Sequence, residues 1–194
     1  MSQSVKSFVY YKLYKPYGYL SQFSGESSDK LLGELHNFPK NVYSVGRLDK
    51  DSEGLLLLTN DNRFKTRMLS PESKKWKTYW VQVEGQITQE AILKLTEGRI
   101  TVPHKGVDFT VSPALCKEIN APNISERVPP IRSRKSIPTS WIELKISEGK
   151  NRQVRKMTAA VGFPTLRLVR YSVDKYTLED MQLGEVREFR PITF

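Results

Sequence analysis

The spacing of hydrophobic and polar residues changes several times along the chain, and each change marks an element. Residues 7–14 are rich in Tyr, Phe and Val and end at Lys15-Pro16, which predicts a strand running into a turn at Tyr17-Gly18. A short helical stretch is expected over residues 31–36 and an extended one over 42–45. Residues 46–54, charged and bounded by glycines, then precede the unbroken apolar run 55–58. A loop held between two buried strands is a stiff mount for a functional side chain. Residues 79–84 alternate, with Tyr79, Val81 and Val83 on one face, and Thr88 caps a helix carrying Ala91, Ile92 and Leu95 that stops at Gly98. Six prolines between residues 103 and 140 predict a long loop, interrupted by one strand at 107–111. Residues 141–147 alternate again, with Ile142, Leu144 and Ile146 inward. A second helix follows, with Val154, Met157 and Val161 on its apolar stripe and Arg152, Arg155 and Lys156 on other faces; Gly162 and Pro164 stop it. Its first turn is a ready anion site. Strands at 166–169 and 186–190 complete a mixed α/β chain dominated by sheet, without internal repeats.

Composition narrows the partners. The chain of 194 residues carries 31 Lys and Arg against 21 Asp and Glu, a net charge of +10, which points to a polyanion such as nucleic acid. The charge is local: residues 127–170 hold eleven basic and two acidic side chains. A second run, Lys74-Lys75-Trp76-Lys77-Thr78-Tyr79-Trp80, interleaves cations with aromatics, as a surface meeting phosphates and stacked bases would. Cys116 is the single cysteine, so neither an intrachain disulfide nor a thiolate zinc site can form. No apolar leader follows the N-terminus, and no window reaches the ~18 apolar residues a membrane span needs. A soluble cytoplasmic protein is expected.

Candidate chemistry centres on the charged loop. Asp49, Asp51, Glu53 and Gly54 begin like a calcium loop, but Glu53 at position five, Asn60 at position twelve and strand-like flanks break the pattern, so no metal is expected. Neither glycine-rich phosphate motif occurs, and His36 and His104 accompany no serine or cysteine nucleophile motif. Asp49 with Asp51 could form a glycosidase pair, and Asp49 beside Arg47 could equally be an ion pair in a turn. The residues alone lead to an RNA-binding α/β protein with a candidate carboxylate.

Lys15-Pro16 with Gly18, the run from Val45-Gly46-Arg47-Leu48-Asp49 through Asn60-Asp61, Lys77-Thr78-Tyr79, Glu148-Gly149-Lys150-Asn151-Arg152-Gln153-Val154-Arg155-Lys156-Met157, and the segment 161–170 resemble, in order, the motifs of bacterial ribosomal pseudouridine synthases related to small-subunit synthase A. Residues 129–141 resemble those members that modify 23S ribosomal RNA. The resemblance implies an α+β fold with a largely antiparallel bent sheet, flanking helices and a central catalytic cleft. It implies one catalytic domain over residues 1–194, in two lobes of about 1–60 with the C-terminal strands and about 75–165. Fourteen residues precede Lys15, which implies the branch without an S4-type RNA-binding domain. Asp49 would detach uracil from C1′ and rejoin it through C5, with Arg155 as its ionic partner and Tyr79 stacked on the base. Leu168 would line the uracil pocket, Arg47, Arg152 and Gln153 would orient the loop or meet phosphate, and Arg170 is a weaker choice for the same task. Arg132, Arg134 and Lys135 would grip RNA. The resemblance implies no cofactor, a 23S RNA or assembling large subunit as partner, and a monomer away from membranes. The rivals are a non-catalytic RNA-binding or assembly protein and a hydrolase of RNA bases.

Overall fold

The computed structural model describes residues 8–104, 106–131 and 136–192. Its strands are β1 (Tyr10–Lys15), β2 (Tyr43–Ser44), β3 (Glu53–Thr59), β4 (Lys77–Glu84), β5 (Thr101–His104), β6 (Val107–Thr110), β7 (Leu115–Ile119), β8 (Thr139–Ile146), β9 (Thr165–Val173), β10 (Tyr176–Thr177) and β11 (Val186–Glu188). Among the described residues three α-helices interrupt them, α1 (Asn62–Leu69), α2 (Gln89–Glu97) and α3 (Gln153–Ala160), with short 3₁₀ turns at Leu32–Glu34 and Pro71–Ser73. The main sheet runs β11-β1-β3-β9-β4-β8-β7, with β2 and β10 paired at its side and β5-β6 forming a separate hairpin. The strands of the main sheet pair antiparallel except β3 with β9, which run parallel at Glu53↔Val169 and Gly54↔Arg170. None of the described helices is long and apolar enough to cross a membrane.

The apolar run expected at 55–58 is β3, buried along its whole length because both of its faces are covered. Leu55 and Leu57 pack with Tyr14, Phe64 and Val169, while Leu56 and Leu58 pack with Tyr11, Leu13 and Leu32. A third cluster joins Val81 and Val83 of β4 to Ile142 and Leu144 of β8, Leu95 of α2 and Met157 of α3. The alternation read in β4 and β8 and the apolar stripes of α2 and α3 therefore meet in one core. At the parallel junction Gly54 has φ +117°, and a Cβ there would lie 2.4 Å from the backbone N and O of Arg170. Only glycine lets β3 approach β9 so closely.

Two expectations need correction. The long loop over 103–140 contains the β5-β6 hairpin and β7, which pairs with β8 from Leu115↔Lys145 to Ile119↔Trp141. Helix α1, which the spacing did not predict, follows β3 directly, and the Asp61 carboxylate caps it by accepting from the N–H groups of Arg63 and Phe64.

Candidate active site

The loop between β2 and β3 is fastened at both ends. Gly46 turns the chain at φ +75°, the buried Ser21 hydroxyl donates to the Leu48 carbonyl at 2.8 Å, and the Leu48 N–H donates back to Ser21 Oγ at 2.9 Å. Gly18 donates to the Lys50 carbonyl at 2.8 Å, and Ser52 to that of Asp49 at 3.0 Å. The Asp49 side chain therefore projects from a fixed backbone, about one third exposed.

The two aspartates of the loop differ sharply. Arg152 donates two hydrogen bonds of 2.9 Å to the Asp51 carboxylate. Arg155 donates to the Asp51 carbonyl at 2.7 Å and stands 3.4 Å from its carboxylate. Burial alone would raise the Asp51 carboxyl, but the Arg152 hydrogen bonds and the charges of both arginines outweigh it and hold its pKa below the ordinary value. Asp49 has one ionic neighbour within 4 Å among the described residues, Arg152 at 3.7 Å. The nearest guanidinium to Asp49 is thus that of Arg152, while Arg155 feels the Asp49 charge from beyond 4 Å. The cause is local: Arg152 sits in the left-handed region at φ 53° at the start of α3, which turns its guanidinium between the two carboxylates. Arg155 holds Asp51 through its terminal nitrogen, and its Nε is buried without a hydrogen-bond partner among the described residues.

Asp49 stands on the wall of a cleft of about 670 Å³ between the loop, β4, β9 and the turn leading into α3. Tyr79 and Leu168, both buried, lie on adjacent strands at its floor, where Tyr79 pairs with Arg170. Arg47, Arg152 and Gln153 also line it. Gln153 is buried and committed: its amide donates to Glu148 at 2.6 Å, and its carbonyl accepts from the Lys150 N–H at 3.0 Å. It shapes the turn and has little left to offer a phosphate. Arg155 does not line the cleft, and Arg132, Arg134 and Lys135 fall outside the described residues.

Two cations at the floor were given no leading role by the sequence, although Lys77 opens the Lys77-Thr78-Tyr79 motif. Lys77 shares the Tyr79 face of β4, a two-residue spacing hidden within the run of lysines and aromatics. Arg170, a weak candidate by sequence, is buried beside Tyr79 and lines the cleft. The calcium-like pattern dissolves here: Asp51 serves the two arginines, and Glu53 forms a buried pair with Arg167 at 2.8 Å. Among the described residues no three His, Cys, Asp or Glu side chains gather as metal ligands.

Residues 9–160 match the family model described as RNA pseudouridylate synthase. The ribosomal large subunit pseudouridine synthase E of Vibrio parahaemolyticus is 49% identical over 176 residues, covering 91% of this chain and 71% of that protein. The protein of the same name from Xanthomonas campestris is 46% identical, covering 90% of this chain and 92% of the relative. A crystal structure of a pseudouridylate synthase superposes with a TM-score of 0.75 at 26% identity, over 97% of this chain and 73% of that one.

Proposed function

The chain belongs to the RNA pseudouridylate synthase family, and from that premise we infer that it isomerises a uridine of 23S ribosomal RNA to pseudouridine, with Asp49 as the reacting carboxylate. One observation carries the reading. In a chain of net charge +10, whose Lys and Arg side chains recur around the cleft, Asp49 stands on the wall with a single ionic neighbour within 4 Å among the described residues, at 3.7 Å. Binding alone gives no reason for it, because an exposed carboxylate there repels phosphate; chemistry at a sugar does.

The target uridine leaves its stack, at a cost of a few kcal/mol that contacts from the basic face offset. Asp49 engages the sugar, by attack on C1′ or removal of the 2′ proton, and the C1′–N1 bond breaks with its electron pair departing on uracil. The base turns, C5 bonds to C1′, the C5 hydrogen leaves as a proton and N1 gains one. No atom is added or lost, so the sum is an isomerisation. Tyr79 supplies a ring for the base and a hydroxyl for the C5 proton, and Leu168 an apolar wall that excludes water. Arg152 orients Asp49 directly, and Arg155 acts on the loop through Asp51. The substrate is naked 23S RNA or an assembling large subunit, and the enzyme works as a cytoplasmic monomer.

Tritium at uridine C5 tests this directly. Wild type should release it from labelled 23S transcript without freeing uracil, and Asp49→Asn should release none while still binding RNA. Binding without release, from naked transcript and assembly intermediates alike, would leave an RNA-binding protein in its place.

A further inference from the structure

Apart from Asp49, the acidic groups at and beside the cleft are already matched. Asp51 takes Arg152 and Arg155, Glu53 takes Arg167, and Glu148 accepts from Gln153 at 2.6 Å and from the Ser112 hydroxyl at 2.7 Å. Two cations on the floor have no carboxylate within 4 Å among the described residues. Arg170 is 6% exposed and spends its Nε on the Leu55 carbonyl at 2.9 Å; its terminal nitrogens bond no described residue. Lys77 donates to the carbonyls of Lys75 and Glu148 at 3.1 and 3.3 Å. Burial lowers the Lys77 pKa, and the Arg170 charge lowers it further. Two neighbouring, part-desolvated cations that disfavour one another are a site built to receive negative charge.

Position selects which charge. The exposed cations of the rim, Arg47, Lys74 and Lys150, are placed for phosphates. Arg170 is buried and Lys77 part-buried, on the strands that carry Leu168 and Tyr79, where the base would rest. Resting on the synthase reading above, we propose that Arg170 and Lys77 hold the carbonyl oxygens of the detached uracil as catalytic residues. When the C1′–N1 bond breaks, its electron pair stays with the base and spreads over N1 and the two carbonyl oxygens. The guanidinium and ammonium neutralise that anion in place until C5 reattaches and the C5 proton leaves. They also keep the base from escaping before it has turned.

The full-length chain is tested under single-turnover conditions on 23S transcripts containing either uridine or 5-fluorouridine, whose detached base is the more stable anion. Product from uridine is read as pseudouridine, and 5-fluorouridine as loss of the N-linked nucleoside after digestion. Lys77→Met should slow uridine conversion about 100-fold, the scale of one lost donor to a developing oxyanion, with a clearly smaller loss on 5-fluorouridine. Affinity and its salt slope should stay near wild type. Arg170→Lys, which keeps the charge and guards against misfolding of a neutral variant, should show the same dependence on the leaving base. Equal slowing on both RNAs, or weaker binding with a salt slope reduced by about one, would overturn the proposal, the latter marking a phosphate contact. No slowing would overturn it too. A wild type inactive on both RNAs would instead overturn the synthase reading and this one with it.

Discussion

Lys15 places an amine where solvent does not reach: it is wholly buried, and Nζ donates to the carbonyls of Pro16 at 2.9 Å and Tyr19 at 2.7 Å. A neutral amine has two N–H groups, so both bonds survive loss of the third proton. Burial pushes its pKa down to about 7, against the favourable charge of Glu53. An unfolded lysine titrates near ~10.4, so between about 7 and that value the unfolded chain binds more protons and stability must rise with pH. The contribution is up to ~1.4 kcal/mol per pH unit and fades as pH falls through 7. Urea unfolding at several pH values should show that rise in wild type and a flatter curve in Lys15→Met; parallel curves would contradict it. The sequence marked this residue as the start of a Lys-Pro turn and of the first family motif, but nothing in a local pattern reports that an amine is enclosed. Asp49 could be singled out because its motif is contiguous. Which arginine stands nearest to it could not, because that depends on one left-handed residue at the head of α3.

Among the elements, the parallel junction of β3 and β9 has the least tolerance. In Gly54→Ala the new Cβ would meet Arg170 backbone atoms at 2.4 Å, and a strand backbone cannot step aside as a flexible side chain can. A loss of about 3–5 kcal/mol is expected from such a clash at positive φ. Thermal unfolding should fall by roughly 10 °C or more. A variant within a few degrees of wild type would mean that β9 shifts freely. Elements that bury a regular face were legible in the pattern, as with Val81 and Val83 in β4 or Met157 in α3. Those that bury little were not. Helix α1 buries only Phe64 and Met68, one turn apart in an otherwise polar stretch, and β7 is largely exposed, so each offers few apolar positions to read. In β5, Pro103 read as a loop signal, yet it sits in a two-stranded hairpin that leaves room for a residue without an N–H.

For the whole molecule, the basic balance sets how the protein meets RNA. If six to ten phosphates are contacted, affinity should fall about 10³ to 10⁵ fold between roughly 50 and 200 mM salt. A nearly flat response in a filter-binding titration would refute a phosphate-led grip. The motif order was enough to read the family, and the segment 129–141 its large-subunit branch, here the likeness to synthase E. The strand order carries a consequence for how the protein is made. Strand β9 lies between β3 and β4, and its Arg167 reaches Glu53 across 114 residues of chain. Until β9 leaves the translating ribosome, the chain holds two half-sheets with open edges, Asp49 attached to one and Tyr79 to the other. The carboxylate and the ring become neighbours only near the end of synthesis, so an unfinished chain has the parts of the cleft without the cleft.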